Sequence, residues 1–168
     1  APVKIMAHQI VCGSALREKY GMRDQMVCYS MAYLSGQPMA YPDNGVELRL
    51  LDGTWFDFVR KHYLNPVDDA YIRERLDEGV MVGAFLDGVP VGFAGEHDEG
   101  TLGLLEVLPE YRRRQIATSI TALLVNRFLS EGRIPNSQVE QHNEASLAMQ
   151  KRLGFEQSET VGVWMGIY

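Results

Sequence analysis

Apolar positions recur along this chain with two periods, one helical and one of two residues, and the switches between them mark its elements. From Val3 to Leu34 the spacing reads as helical, with Met22, Met26, Tyr29, Tyr33 and Leu34 on one side, and Gly36 and Pro38 stop it. That Met and Tyr stripe suits core packing or the wall of a pocket. Tyr41 to Gly45 (YPDNG) is turn chemistry, and Val46 to Leu51 alternates as a short first strand, Glu47 and Arg49 opposing Val46, Leu48 and Leu50. Thr54 with Asp57 predicts a capped helix whose stripe is Trp55, Phe58, Val59 and His62. A second short helix is expected over 66–78, with Asn65 as cap, Pro66 in its first turn, Asp68 and Asp69 at the positive end of its dipole and Gly79 at its stop.

Val80 to Leu86 and Val89 to Ala94 read as a hairpin across Asp87-Gly88, followed by the acidic turn Gly95 to Gly100. Thr101 to Val107 is a further strand and Arg114 to Glu131 a helix marked by Ile116, Ile120, Leu123, Leu124, Arg127 and Phe128, stopping at Gly132. Ser137 to Gln141 is a strand, Asn143 caps a helix from Glu144 to Leu153 that Gly154 ends, and Glu159 to Tyr168 is a closing strand. This order predicts an α/β (α+β) fold: a single mixed, mostly antiparallel sheet flanked by helices, in one domain over residues 1–168 without repeat or linker.

With 168 residues, 46% hydrophobic and 23% charged, the chain can bury a core and cover it. The formal net charge of −6 disfavours nucleic acid and anionic membrane as partners. Cys12 and Cys28, both in the first helical stretch, lack metal-ligand spacing and read as reduced or buried thiols, so a cytoplasmic location and no metal are expected. The apolar stretch after Lys4 faintly imitates a secretory signal, but His8 and Gln9 interrupt it and it reads as a retained amphipathic helix. No apolar run approaches the length that spans a bilayer.

The chemistry concentrates in Val107 to Thr118, VLPEYRRRQIAT: a strand end, a proline, an arginine triplet and a helix start. Helix starts carry unpaired N–H groups and positive dipole, so this turn suits an anion such as a phosphate. Val107, Pro109 and Arg112, followed by Arg112-Arg113-Arg114-Gln115-Ile116-Ala117, resemble the V-x-P-x-x-R and Q/R-x-x-G-x-G/A elements of the GNAT superfamily of N-acetyltransferases. Asn143, Ser146, Leu153, Gly154 and Phe155 resemble its N-x-x-A/S-x-x-x-x-x-x-L-G-F element, and both stand in the expected order. The resemblance covers about residues 80 to 160, which would make 80–168 an acetyl-CoA-binding core and 1–79 the acceptor-side segment.

The resemblance implies that amides from Arg113 through Ile116 and Ala117 to Thr118, with Arg112, Arg113 or Arg114, wrap the pyrophosphate of acetyl-CoA. Backbone groups around Leu105 to Val107 would pair with the pantetheine arm, and Asn143, with Ser146 beside it, would meet the same co-substrate while also capping its helix. Four departures accompany the match. Gln115 stands at the turn's usual first glycine and fits without strain if its angles are ordinarily helical. Gln150 and Gln138 replace a proton-donating tyrosine and a glutamate base, and Thr101 stands where other members keep a base. Glu106, Glu140 and His97, in that order, remain as candidate bases, each also readable as an ordinary strand or loop residue.

The expected function is acetyl transfer from acetyl-CoA to a primary amine by direct attack, with no covalent intermediate. The acceptor would be a small-molecule amine or a peptide amine, and the acidic residues of 41–78 and 96–99 would favour a cationic one. The LPEYR turn and VEQHNEAS also resemble glycine N-acyltransferases, which implies an amino acid acceptor. A non-catalytic acyl-CoA-binding module is the other alternative, and a homodimer is a further expectation.

Overall fold

A computed structural model describes residues 4–167, apart from the side chain of Ile10. The expected helix start at Val3 and strand end at Tyr168 lie outside the described residues. In chain order the elements are β1 (Lys4–Ala7), α1 (Ile10–Tyr20), β2 (Arg23–Ala32), β3 (Glu47–Leu50), α2 (Phe56–His62), α3 (Asp69–Asp77), β4 (Val82–Leu86), β5 (Val89–Glu96), β6 (Leu102–Val107), α4 (Ile116–Ser130), β7 (Asn136–Glu140), α5 (Glu144–Arg152) and β8 (Glu156–Gly166).

The long first helix is the main correction. Gly21 adopts left-handed angles (φ 64°) and its N–H closes α1 onto the Arg17 carbonyl, after which the chain runs extended as β2, with Cys28 on the strand and not in a helix. The misleading spacing has a physical source. β2 shifts register against β8 between Asp24 and Met26 and again between Tyr29 and Met31, so its fully buried positions, Cys28 and Met31, fall three apart. Bulges of this kind turn a two-residue alternation into an apparent helical one.

The helix caps also differ from expectation. Asp52, not Thr54, accepts from the Thr54 N–H and starts a single 3₁₀ turn at Gly53–Trp55 that leads into α2. Asp68, not Asn65, accepts from the Tyr71 N–H at 2.8 Å and caps α3. Aspartate reaches the second or third amide of a helix from this position, which is why it outcompetes the residue before proline. The hairpin at Asp87-Gly88 stands as expected, both residues having positive φ (49° and 78°) as a tight primed turn requires.

The chain forms two compact units: residues up to Ser35 with those from Asn136 onward, and Gly36–Pro135. In the first, β8 lies between β1 and β2, and β7 pairs the other side of β2, all antiparallel. Ala7, Met22, Val163 and Met165 form a buried cluster against which Leu16 of α1 packs. In the second, β3, β4, β5 and β6 pair in that order, again antiparallel, and α4 lies against them. Phe56, Val59, Ile72, Leu76, Phe85, Phe93 and Leu104 join in its core, which fixes α2 and α3 against the strands. That packing positions the cleft described next.

Candidate functional site

β6 is where the second unit departs from regular geometry. Phe93 faces Glu106 and Gly95 faces Gly103, so β6 carries one more residue than β5 between those pairs. The extra residue is Leu104, whose side chain is buried in the core while its backbone takes left-handed angles (φ 53°). A bulge of this kind bends a strand and re-aims the residues that follow it. Here they are Leu105, Glu106 and Val107, all partly exposed.

Glu106 lines a cleft of about 140 Å³ whose walls are Lys61 and His62 at the end of α2, Leu64, the β6 residues Val107 and Leu108, Pro109 and Arg112. Partial burial raises the Glu106 carboxyl above the ordinary range. The Leu64 N–H, which hydrogen-bonds the carboxylate, and the neighbouring Arg112 and His62 pull in the opposite direction. Arg112 turns back along the strand, its Nε donating to the Val107 carbonyl at 3.1 Å. It is therefore anchored at the cleft, just ahead of the other two arginines.

Beyond Arg112 the backbone is unusual. Arg113 (φ 65°) and Gln115 (φ 57°) both take left-handed angles, so the ordinary helical geometry expected of Gln115 does not hold. The reason is positional: Gln115 is the residue before α4, where the chain must reverse to enter the helix, and glycine would meet that demand without cost. Gln115 makes no capping hydrogen bond, and no acidic residue stands in the first turn. The amides of Ile116, Ala117 and Thr118 thus open an uncapped fifteen-residue helix beside exposed Arg113 and Arg114. The buried Ile116 side chain pins the helix start to the core. As a donor set, three first-turn amides and two cationic side chains fit a pyrophosphate.

Asn143 does cap α5, its Oδ1 accepting from the Ser146 N–H at 3.1 Å, and belongs with Ser146 to the first unit. Glu140 ends β7, exposed and opposite Cys28, whose thiol burial pushes up to about 11, with Glu140 adding to the rise. His97 sits 2.6 Å from the Tyr71 hydroxyl through Nδ1 and packs on Gly103, where an added Cβ would overlap its ring. Burial lowers the imidazole and raises the Tyr71 phenol, which favours the neutral form of both partners in this hydrogen bond. Of the acidic turn, Glu96 pairs with Arg133 and Glu99 accepts from the Thr101 hydroxyl at 2.9 Å. Gln138 accepts from the Trp164 indole, and Gln150 from the Ser137 hydroxyl at 2.6 Å.

Sequence reasoning missed Lys61, Leu64 and Asn44 and read His62 only as part of an apolar stripe. Lys61 and His62 carried a faint signal as the basic end of a helix; Asn44 was hidden inside a turn. Among the described residues no group of three or more His, Cys, Asp or Glu is placed to hold a metal ion, and no helix is long and apolar enough to cross a membrane.

A bulged strand, an arginine turn and an uncapped helix in one unit define an α/β protein whose cleft sets one carboxylate, Glu106, among Lys61, His62 and Arg112. The chain belongs to the acetyltransferase (GNAT) family, whose sequence model matches residues 47–155. Comparison with curated protein sequences gave no match. Among solved structures, a Drosophila protein superposes with a TM-score of 0.84 at 17% identity, over 99% of this chain and 61% of that one. A GNAT-family protein of Novosphingobium aromaticivorans follows at 0.65 and 18%, over 89% and 69% of the two chains. A GCN5-related N-acetyltransferase of Sphaerobacter thermophilus gives 0.62 and 19%, over 99% and 60%. At such identities the likeness is one of fold, and the expected GNAT-like fold class holds. The chain spans about six tenths of the Drosophila and Sphaerobacter chains.

Proposed function

We propose that this protein transfers acetyl from acetyl-CoA to a primary amine by direct attack, with Glu106 as the base. The observation that carries the proposal is the raised, half-buried carboxylate of Glu106 in the cleft at the end of β6, in the unit that also holds the arginine turn. The neutral amine nitrogen attacks the thioester carbonyl and passes its proton to the Glu106 carboxylate, the carbon–sulfur bond breaks to expel the CoA thiolate, and the thiolate takes up a proton from solvent while Glu106 returns its own to solvent. The α4 amides with Arg113 and Arg114 would hold the pyrophosphate. A cytoplasmic location accords with the net charge of −6 and with Cys12 and Cys28 both being free thiols.

The charges of the cleft favour an amino acid as acceptor over a polyamine. Glu106 can receive the ammonium, but Lys61 and Arg112 line the same small space, and a second cationic centre would meet them at a cost of several kcal/mol at most. A carboxylate next to the amine would instead meet Lys61 and the terminal nitrogens of Arg112, whose Nε is already engaged. The acidic turn offers a cation little, since Glu96 is paired with Arg133.

The test is release of the CoA thiol from acetyl-CoA with a panel of free amino acids, their amides and polyamines. Free amino acids are expected to give the fastest release. Glu106→Gln should lower kcat/KM about a hundredfold or more, as loss of a general base does. Because the carboxylate must be ionised, kcat/KM should rise with pH through an inflection above the ordinary Glu value of about 4.3, and that inflection should vanish in the variant. Tight acetyl-CoA binding without amine-dependent release would instead favour a non-catalytic module, a reading that the hydrogen-bonded Gln138 and Gln150 support.

A further inference from the structure

The segment before β3 is strapped along α4 by two side-chain amides. Asn126 on α4 clasps the backbone of Met39, accepting from its N–H at 2.6 Å and donating to its carbonyl at 2.9 Å. Five residues later Asn44 makes the second fastening. Its Nδ2 donates to the Arg114 carbonyl at 3.1 Å and to the buried Ser119 hydroxyl at 3.0 Å, while its Oδ1 accepts from the Val46 N–H at 3.2 Å. Ser119 in turn reaches the Gln115 carbonyl through both its N–H, at 3.0 Å, and its hydroxyl, at 3.4 Å.

These bonds fix the carbonyls of Arg114 and Gln115, the two residues that lead into α4. Arg114 lies between Arg113 and Gln115, the two residues in left-handed geometry, each costing about 1–2 kcal/mol for a side chain with a Cβ. Such a backbone relaxes unless neighbours over-determine it. No cap on α4 does so. The Asn44 side chain crosses from another segment to fix the Arg114 carbonyl, two residues ahead of the uncapped start of α4.

We infer that Asn44 is a positioning residue for the anion-binding turn, holding Arg113 to Gln115 in the geometry that presents the α4 amides to the pyrophosphate of acetyl-CoA. The inference rests on the acetyl-CoA reading only for the identity of the anion. Asn44 is not among the residues that line the cleft of Glu106, so its effect should fall mainly on acetyl-CoA.

The experiment compares wild type, Asn44→Ala, Asn44→Asp and Ser119→Ala in two readouts. Calorimetry with acetyl-CoA should show Kd raised about five- to thirtyfold in both Asn44 variants, the loss expected from one or two hydrogen bonds. KM for acetyl-CoA should follow, with kcat and the acceptor KM within about twofold of wild type. The Asn44→Asp change keeps the size and the acceptor of the side chain but removes its donors, so equal losses in the two variants assign the effect to the donated bonds. Ser119→Ala keeps the bond to Arg114 and should lose less. Hydrogen exchange without ligand should quicken at residues 113–118 in the Asn44 variants and stay unchanged in β4 and β5. Unaltered exchange there, or a Ser119→Ala loss as large as that of Asn44→Ala, would overturn the inference. Failure of wild type to bind acetyl-CoA while exchange still quickens would overturn the identity of the anion and leave the positioning role standing.

Discussion

Gln115 is the residue at which local preference and tertiary demand disagree most openly. A glutamine held at φ 57° is strained by its own Cβ, whereas glycine is not. Gln115→Gly should therefore stabilise the protein by about 0.5 kcal/mol, the relief of strain being partly offset by the freer unfolded chain. Urea unfolding measures the gain, and a loss of stability would show that the side chain makes contacts of its own. Since Gln115 makes no capping bond, acetyl-CoA should bind the variant at least as tightly. Glu106 shows the complementary situation. Its residue type and its place before Val107 were readable, but the partial burial that raises its carboxyl, and the Leu64 N–H, Arg112 and His62 that oppose the rise, come together only on folding.

At the scale of elements, periodicity succeeds where strands alternate cleanly and fails where they bulge. The β4–β5 hairpin, α4, β7 and α5 all lie close to their expected bounds, because turn glycines and apolar stripes agree there. β2 escapes the pattern because two register shifts disguise its alternation, and no local rule reveals a bulge whose cause is the neighbouring strand. The bulge in β6 has a testable consequence. Gly103 follows the turn and leaves room for the His97 ring, which the Tyr71 hydroxyl holds in place. Gly103→Ala should destabilise the protein by about 1–3 kcal/mol through overpacking, seen as a lower urea midpoint with unchanged slope. Retained stability would mean that the ring moves aside without cost.

At the scale of the whole molecule, a chain of net charge −6 binds an anion only through a local concentration of donors. On the proposed reading the arginine turn supplies that concentration, and ligand binding should then register as global stabilisation. At about a hundredfold excess over Kd, acetyl-CoA should add about 2.7 kcal/mol and raise Tm by roughly 5 to 10 °C. Thermal unfolding with and without acetyl-CoA measures the shift, and no shift at saturating concentration would count against the co-substrate.

By itself the sequence determined the class of fold, the turn that suits a phosphate and the family motifs around it, because turn residues, arginines and helix stripes act over a few neighbouring positions. Val107, Pro109, Arg112 and Asn143 could be found that way. Only the tertiary structure decided the left-handed geometry of Gln115, the strap through Asn44 and the gathering of Lys61, His62 and Arg112 around Glu106. Each of these joins residues far apart in the chain, and long-range packing, not local propensity, sets such distances and the desolvation that follows from them.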